Sequence, residues 1–236
     1  QAFFELAELT GHPQADALGR RAADTILGSG PDEIVKYATS WTDDMFMATS
    51  VLARAAKRTG EARYAEAVAR LLTTYATRLQ RDGRMFVHAE SGPHAWGRGN
   101  GFAAFGLMEA LTHLPETWSA RPQVLDSFRR LMDGMRRHQA PDGAWQQVVD
   151  EPGTYREFTV TAMTMIIAAP FLIWPATEPL TTLALRLDGR QWAEIFYLVI
   201  PNGILGTMLW NYGTARLSGA STGAFLYLIP VIAIFS

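Results

Sequence analysis

"DMFMATSVLARAAKRTGEARYAEAVARLLTTYATRLQ" occupies residues 44–80. Its first half places Met45, Met47, Val51, Leu52 and Ala55 at helical spacing and stops at Gly60. Its second half repeats the pattern with Tyr64, Val68, Leu71, Leu72 and Tyr75. A stop of one glycine between two apolar stripes makes the pair an antiparallel helical hairpin.

The same design extends outward. Gln1 already lies in a helical pattern, and "DGR" at 82–84 is a turn. "NGFAAFGLMEALTHLP" (100–115) is a further helix stopped by Pro115, and "PQVLDSFRRLMDGMRRHQ" (122–139) is its partner, ended by "APDG". No run alternates with period two, so an all-α fold is expected. Three polar-aromatic clusters punctuate the helices: "WTDD" at 41–44, "HAWGRGNGF" at 94–102 and "DGAWQQV" at 142–148, the last leading to Glu157. Trp41, Trp96 and Trp145 recur at about fifty-residue intervals, each before a helix. That is the signature of one hairpin per repeat. Side-by-side hairpins bring such loops to one end, so the clusters are expected to line one pocket.

The residue types in these clusters suit a sugar. Asp43 and Asp44 open a helix, where Thr42 or Asp43 could cap its first N–H groups. The two acids point roughly 100° apart, so one can serve the backbone while the other faces the pocket. A carboxyl beside an aromatic suits a general acid. Arg98 offers a fork of donors for a carboxylate, or a salt bridge to Asp43 or Asp44. Trp96 and Phe102 offer flat apolar faces. His88 reads as a proton donor, a ligand or a core histidine, and no second matched ligand favours a metal.

Composition excludes several alternatives. With no cysteine there is no disulfide, thiolate zinc site or cysteine nucleophile. A net charge of −2 with scattered Lys and Arg gives no case for nucleic acid. "WGRGNGF" is not a dinucleotide loop, because no strand precedes it. No cofactor is called for.

"WTDDMFM" (41–47), "FVHAES" (86–91), "WGRGNGF" (96–102) and "DGAWQQVVDEPGTYREFTVTAM" (142–163), in that order, resemble the unsaturated glucuronyl and rhamnogalacturonyl hydrolases, glycoside hydrolase families 88 and 105. The resemblance covers about 1–165. It implies an (α/α)6 barrel of six hairpins, of which about three are present. It implies as partner an oligosaccharide ending in a 4,5-unsaturated uronic acid. The implied catalyst is Asp43, protonating C4 of the vinyl ether and then deprotonating water. Trp41, Trp96 and Phe102 would wall the sugar, with Phe102 standing where many relatives have Trp. Asp44, His88 and Arg98 would contact substrate, Arg98 at its carboxylate. The family also implies a second important Asp on an earlier hairpin, which this sequence lacks. The chain is therefore expected to be a truncated, inactive piece of a cytoplasmic hydrolase.

The last third has different chemistry. Only 6 of the 44 charged residues fall in 158–236, and none of the histidines. Residues 158–175, 192–211 and 221–236 read as membrane spans, with Trp192, Trp210 and Tyr212 near span ends. "NGILGTMLWNYGTARLSGASTGAFLYLIPVIAIFS" (202–236) resembles the second repeat of EamA-type drug/metabolite transporters. That implies a partial carrier of about three membrane helices over 166–236, in contact with lipid, and a membrane location for the chain as written. "YREFTVTAMTMIIAAPFLIWP" (155–175) is then the seam of a chimeric reading frame, joined near 165.

Overall fold

The computed structural model describes residues 1–30, 33–81 and 84–173. Among these residues there are seven α-helices. They are α1 (Ala2–Thr10), α2 (Pro13–Ile26), α3 (Asp43–Thr59), α4 (Ala62–Leu79), α5 (Gly97–His113), α6 (Arg121–Arg137) and α7 (Phe158–Ile173). The chain divides into two units, Gln1–Leu172 and Ile173–Ser236.

Helices α1 with α2, α3 with α4, and α5 with α6 pack as hairpins. The expected pair within 44–80 forms as read. Gly60 ends α3 at φ 73°, in the left-handed region that glycine enters without a side-chain penalty. Tyr64, Val68, Leu71, Leu72 and Tyr75 are all buried. Met47 is not: it is 53% exposed, because it sits about 200° around α3 from the fully buried Met45. Among the described residues only isolated β-bridges occur, such as Trp96–Val148 and Gln146–Arg156.

The most extensive packing joins α3 to α5. A Cβ at Gly106 would lie 2.2 Å from the Met45 carbonyl oxygen and 3.0 Å from the Phe46 nitrogen. Backbone therefore meets backbone there, and no side chain can step aside. Gly106→Ala is expected to destabilise the protein by about 1–3 kcal/mol through overpacking, despite alanine's better helix propensity. A urea titration of both proteins checks this. Equal midpoints would show that the two helices can separate freely.

No helix among the described residues is long and apolar enough to cross a membrane. Helix α7 is apolar but has 16 residues. The expected span 158–175 runs past the described residues. The spans expected at 192–211 and 221–236, like residues 82–83 of the expected turn, lie outside them.

Candidate active site

Asp43 is the first residue of α3. Neither Thr42 nor Asp43 caps that helix with its side chain, contrary to the capping expectation. Thr42 instead turns to the loop carrying His88: its N–H donates to the His88 carbonyl at 3.0 Å, and its Oγ1 lies 3.2 Å from His88 Nδ1. Asp43 Oδ2 lies 3.6 Å from the same ring nitrogen. This oxygen is buried and has no hydrogen-bond partner. The His88 ring lies near two tryptophans, with its centroid 5.0 Å from that of Trp41 and 6.0 Å from that of Trp96.

Two structural choices bring these groups together. Asn100, fully buried on α5, pins the segment that carries His88 and Trp96. Its Oδ1 accepts from the Phe86 N–H, and its Nδ2 donates to the carbonyls of Phe86 and Trp96. Gly99 then allows close approach, since a Cβ there would fall 2.6 Å from Thr42 Oγ1 and 3.0 Å from His88 Nδ1.

Both oxygens of Asp44 are already engaged within the protein. Its Oδ2 accepts from the N–H groups of Thr39 and Ser40 and from the Tyr75 hydroxyl. Its Oδ1 accepts from Thr39 Oγ1. Asp43 and Asp44 thus divide as their angular separation requires, one toward the His88 loop and one into the preceding turn. That turn holds Tyr37 and Ser40 at φ 64°, a conformation costing a non-glycine residue about 1 kcal/mol or more.

Arg98 lies in the first turn of α5, where the helix dipole disfavours a cation. It pairs with neither Asp43 nor Asp44. Its Nη1 donates to Glu157 Oε1 at 2.6 Å. The Glu157 side chain is 5% exposed while that of Arg98 is 45% exposed, so a buried anion anchors an outward-reaching cation. Glu157 Oε2 is buried without a partner. Phe102, one turn on, stacks on Phe46 with centroids 6.1 Å apart and stays partly exposed.

The third cluster corrects the tryptophan spacing. Trp145 is buried in the core and donates from Nε1 to the Met135 carbonyl at 2.7 Å, so it faces no pocket. The cluster reaches the site through backbone instead. Gly97 N–H donates to the Gln147 carbonyl, and Glu157 N–H to that of Trp145. Thr39 and Asn100 escaped the sequence reading, and Thr42 read only as a cap. Tyr75 read as part of an apolar stripe, and nothing in helical period reports where its hydroxyl goes. Among the described residues, no group of three or more His, Asp or Glu could hold a metal ion.

Stacked helical hairpins thus bring a carboxyl, an imidazole and two tryptophans together, with the Arg98–Glu157 pair on the same α5 start. The chain belongs to Glycosyl Hydrolase Family 88, whose model matches residues 1–169. The model of the EamA-like transporter family matches residues 152–236, so the two matches overlap over 152–169. The chain is similar to the unsaturated 3S-rhamnoglycuronyl hydrolase of Alteromonas sp. (strain LOR), at 24% identity over 233 residues. That alignment takes in 86% of this chain, more than the 169 residues of the family match, and 56% of the relative. The fold is similar to that of a glycosyl hydrolase family 88 protein from Bacteroides vulgatus, with TM-score 0.60 and 18% identity, covering 72% of this chain and 56% of that one. It is equally similar to a family 105 glycoside hydrolase from C. acetobutylicum, with TM-score 0.60 and 18% identity, covering 74% and 56%. These neighbours are of (α/α)6 type. The chain spans about half the length of the relatives it matches.

Proposed function

We propose that the chain carries the sugar-binding and proton-transfer groups of an unsaturated uronyl hydrolase, acting on oligosaccharides that end in a 4,5-unsaturated uronic acid. The observation that carries this reading is Asp43 Oδ2, a buried carboxyl oxygen left without a partner beside His88, whose ring lies near both Trp41 and Trp96. Such an atom is costly to bury, and a ligand that shares a proton with it removes the cost.

In this reading Asp43 donates its proton to C4 of the C4=C5 double bond. The ring oxygen's lone pair stabilises the cation that forms at C5. Water adds to C5, and its proton returns to Asp43. The protonated carboxyl is regenerated, and no covalent enzyme intermediate is needed. The hemiketal opens between C5 and the ring oxygen, and the aglycone leaves from C1. One carboxyl acting first as acid and then as base suffices, so the two-carboxylate spacing of ordinary glycosidases does not apply. Trp41 and Trp96 supply apolar faces for the sugar, His88 lies against Asp43, and Phe102 closes the α5 side. Arg98, anchored by Glu157, presents its remaining N–H groups to the uronate carboxylate. Asp44 serves the preceding turn rather than the sugar. Residues 1–165 form the hydrolase part, with about three of six barrel hairpins.

Against the expectation of inactivity drawn from the missing hairpins, turnover by this chain is proposed, and its test is the loss of vinyl-ether ultraviolet absorbance when the full chain meets an unsaturated uronyl disaccharide. A decay that requires Asp43 supports the reading; absorbance that persists, or decays alike without Asp43, rejects it.

The match to EamA-like transporters favours a second reading for 166–236, as a partial membrane carrier in contact with lipid. Retention in carbonate-washed membranes is expected; recovery of the whole chain in the supernatant overturns it.

A further inference from the structure

We propose that Thr39, Asp44 and Tyr75 form a strut that positions Trp41 as a sugar platform, an inference that rests on the hydrolase reading for the identity of the sugar. Trp41 is 49% exposed, its ring lies tilted at 43° to that of His88, and its own side chain makes no hydrogen bond among the described residues. Its backbone is held instead. The Trp41 N–H donates to Thr39 Oγ1 at 3.2 Å, and that hydroxyl donates its own hydrogen to Asp44 Oδ1 at 3.0 Å. Thr39 is therefore a single-atom relay between the platform and a buried carboxylate.

Asp44 is the centre of the strut. Besides Thr39 Oγ1 it accepts two backbone N–H groups, from Thr39 at 2.8 Å and Ser40 at 2.9 Å. On its other side the Tyr75 hydroxyl, from α4, donates to Oδ2 at 2.6 Å. Burial, and after it the bond to Asp44, holds the Tyr75 phenol above its ordinary range, so it remains a donor. The turn this carboxylate grips is one the chain would not adopt unaided, because Tyr37 and Ser40 both sit at φ 64°. A surface turn of two left-handed residues relaxes unless its surroundings over-determine it. Here an acid one position after Asp43 does so, which ties the turn to the same helix start that carries the proposed catalyst.

The mechanism of action is geometric. Asp43 and His88 are fixed by α3 and by the Asn100-pinned segment. The Trp41 carbonyl accepts from the Asp44 N–H at 3.0 Å, but its N–H side reaches α3 only through the turn. Loosening the strut should therefore weaken sugar binding without slowing the proton transfer of the bound complex.

Thr39→Val tests this in the full chain, since it keeps the shape and removes the relay hydroxyl; Thr39→Ser restores it. Two readouts are needed: amide exchange of Trp41, and KM against kcat on an unsaturated uronyl disaccharide. Thr39→Val is expected to speed Trp41 exchange at least tenfold and raise KM roughly three- to tenfold, the size of a lost stacking contact. Its kcat should stay within twofold, and Thr39→Ser should resemble the unsubstituted chain. Tyr75→Phe should give the same pattern more weakly, which guards against misfolding of a single variant. Unchanged Trp41 exchange overturns the strut, as does a fall of kcat with KM unmoved. Faster exchange in a chain whose unsubstituted form neither binds nor turns over the sugar rejects the hydrolase reading while leaving the strut standing.

Discussion

Asp43→Asn in the full chain is expected to lower kcat on an unsaturated uronyl disaccharide by about 100- to 10,000-fold, the range for removing a positioned general acid–base group. The asparagine amide matches the carboxyl in shape, so Trp41, Trp96, His88 and Arg98 keep their places and KM should move little. It cannot give a proton to C4 or take one from water, so both halves of the reaction fail together. Stability should respond in the opposite sense. The buried carboxyl oxygen without a partner disappears, and its loss offsets the few tenths of a kcal/mol that an acid contributes at a helix start. A variant that melts at or above the parent's temperature while losing turnover marks Asp43 as a residue kept for chemistry. Equal rates in the two proteins would end the enzymatic reading of this site.

The second large effect lies far from the sugar. Arg54→Met is expected to cost about 3–5 kcal/mol of stability at pH 7, the range for breaking one partner out of a buried ion pair. Arg54 on α3 donates to Glu109 on α5, to Glu5 on α1 and to the Ser50 carbonyl, so one guanidinium joins three helices. Arg54 and Glu109 side chains are each only 11% exposed. Burial raises the Glu109 carboxyl, but hydrogen bonds from His113 and Arg54 outweigh it, and the net position is below the ordinary glutamate value of 4.5. An acid lowered by folding stabilises the fold above its unfolded value and loses that contribution as pH falls through its folded value. The unsubstituted chain should therefore weaken as pH drops below about 4.5. Without Arg54, burial gains weight at Glu109, and protonation relieves it. The deficit of Arg54→Met should accordingly shrink between pH 7 and pH 4. Denaturant titrations at the two pH values check this; a deficit that is the same at both would show the pair to be electrostatically idle. Asp43 lies eleven residues, or roughly 16 Å of helix, before Arg54, so kcat should be unaffected wherever the variant is folded.

Helical period made α3 through α6 readable, because core burial follows the angle of each residue around its axis. It also separated Asp43 from Asp44. It could not say what Asp44 would grip, since Thr39 and Ser40 are neighbours in sequence but Tyr75 arrives from the next helix. The Arg98–Glu157 pair spans 59 residues, and no local pattern links its members. Trp145 shows the limit most plainly. Its spacing from Trp41 and Trp96 marked a repeating loop, yet spacing carries no information about which way an indole turns, and this one turns inward to Met135.

The contact of α3 with α5 through Gly106 has a consequence for redesign. This approach is set by main chain, so the spacing of α3 and α5 at this point does not depend on how side chains elsewhere settle. Helices α4 and α6 could then be rewritten extensively, for solubility or for joining to another scaffold, with Tyr75 kept, and the register of the reacting groups would carry over. Inserting or deleting one residue between 99 and 106 would instead break that register at once.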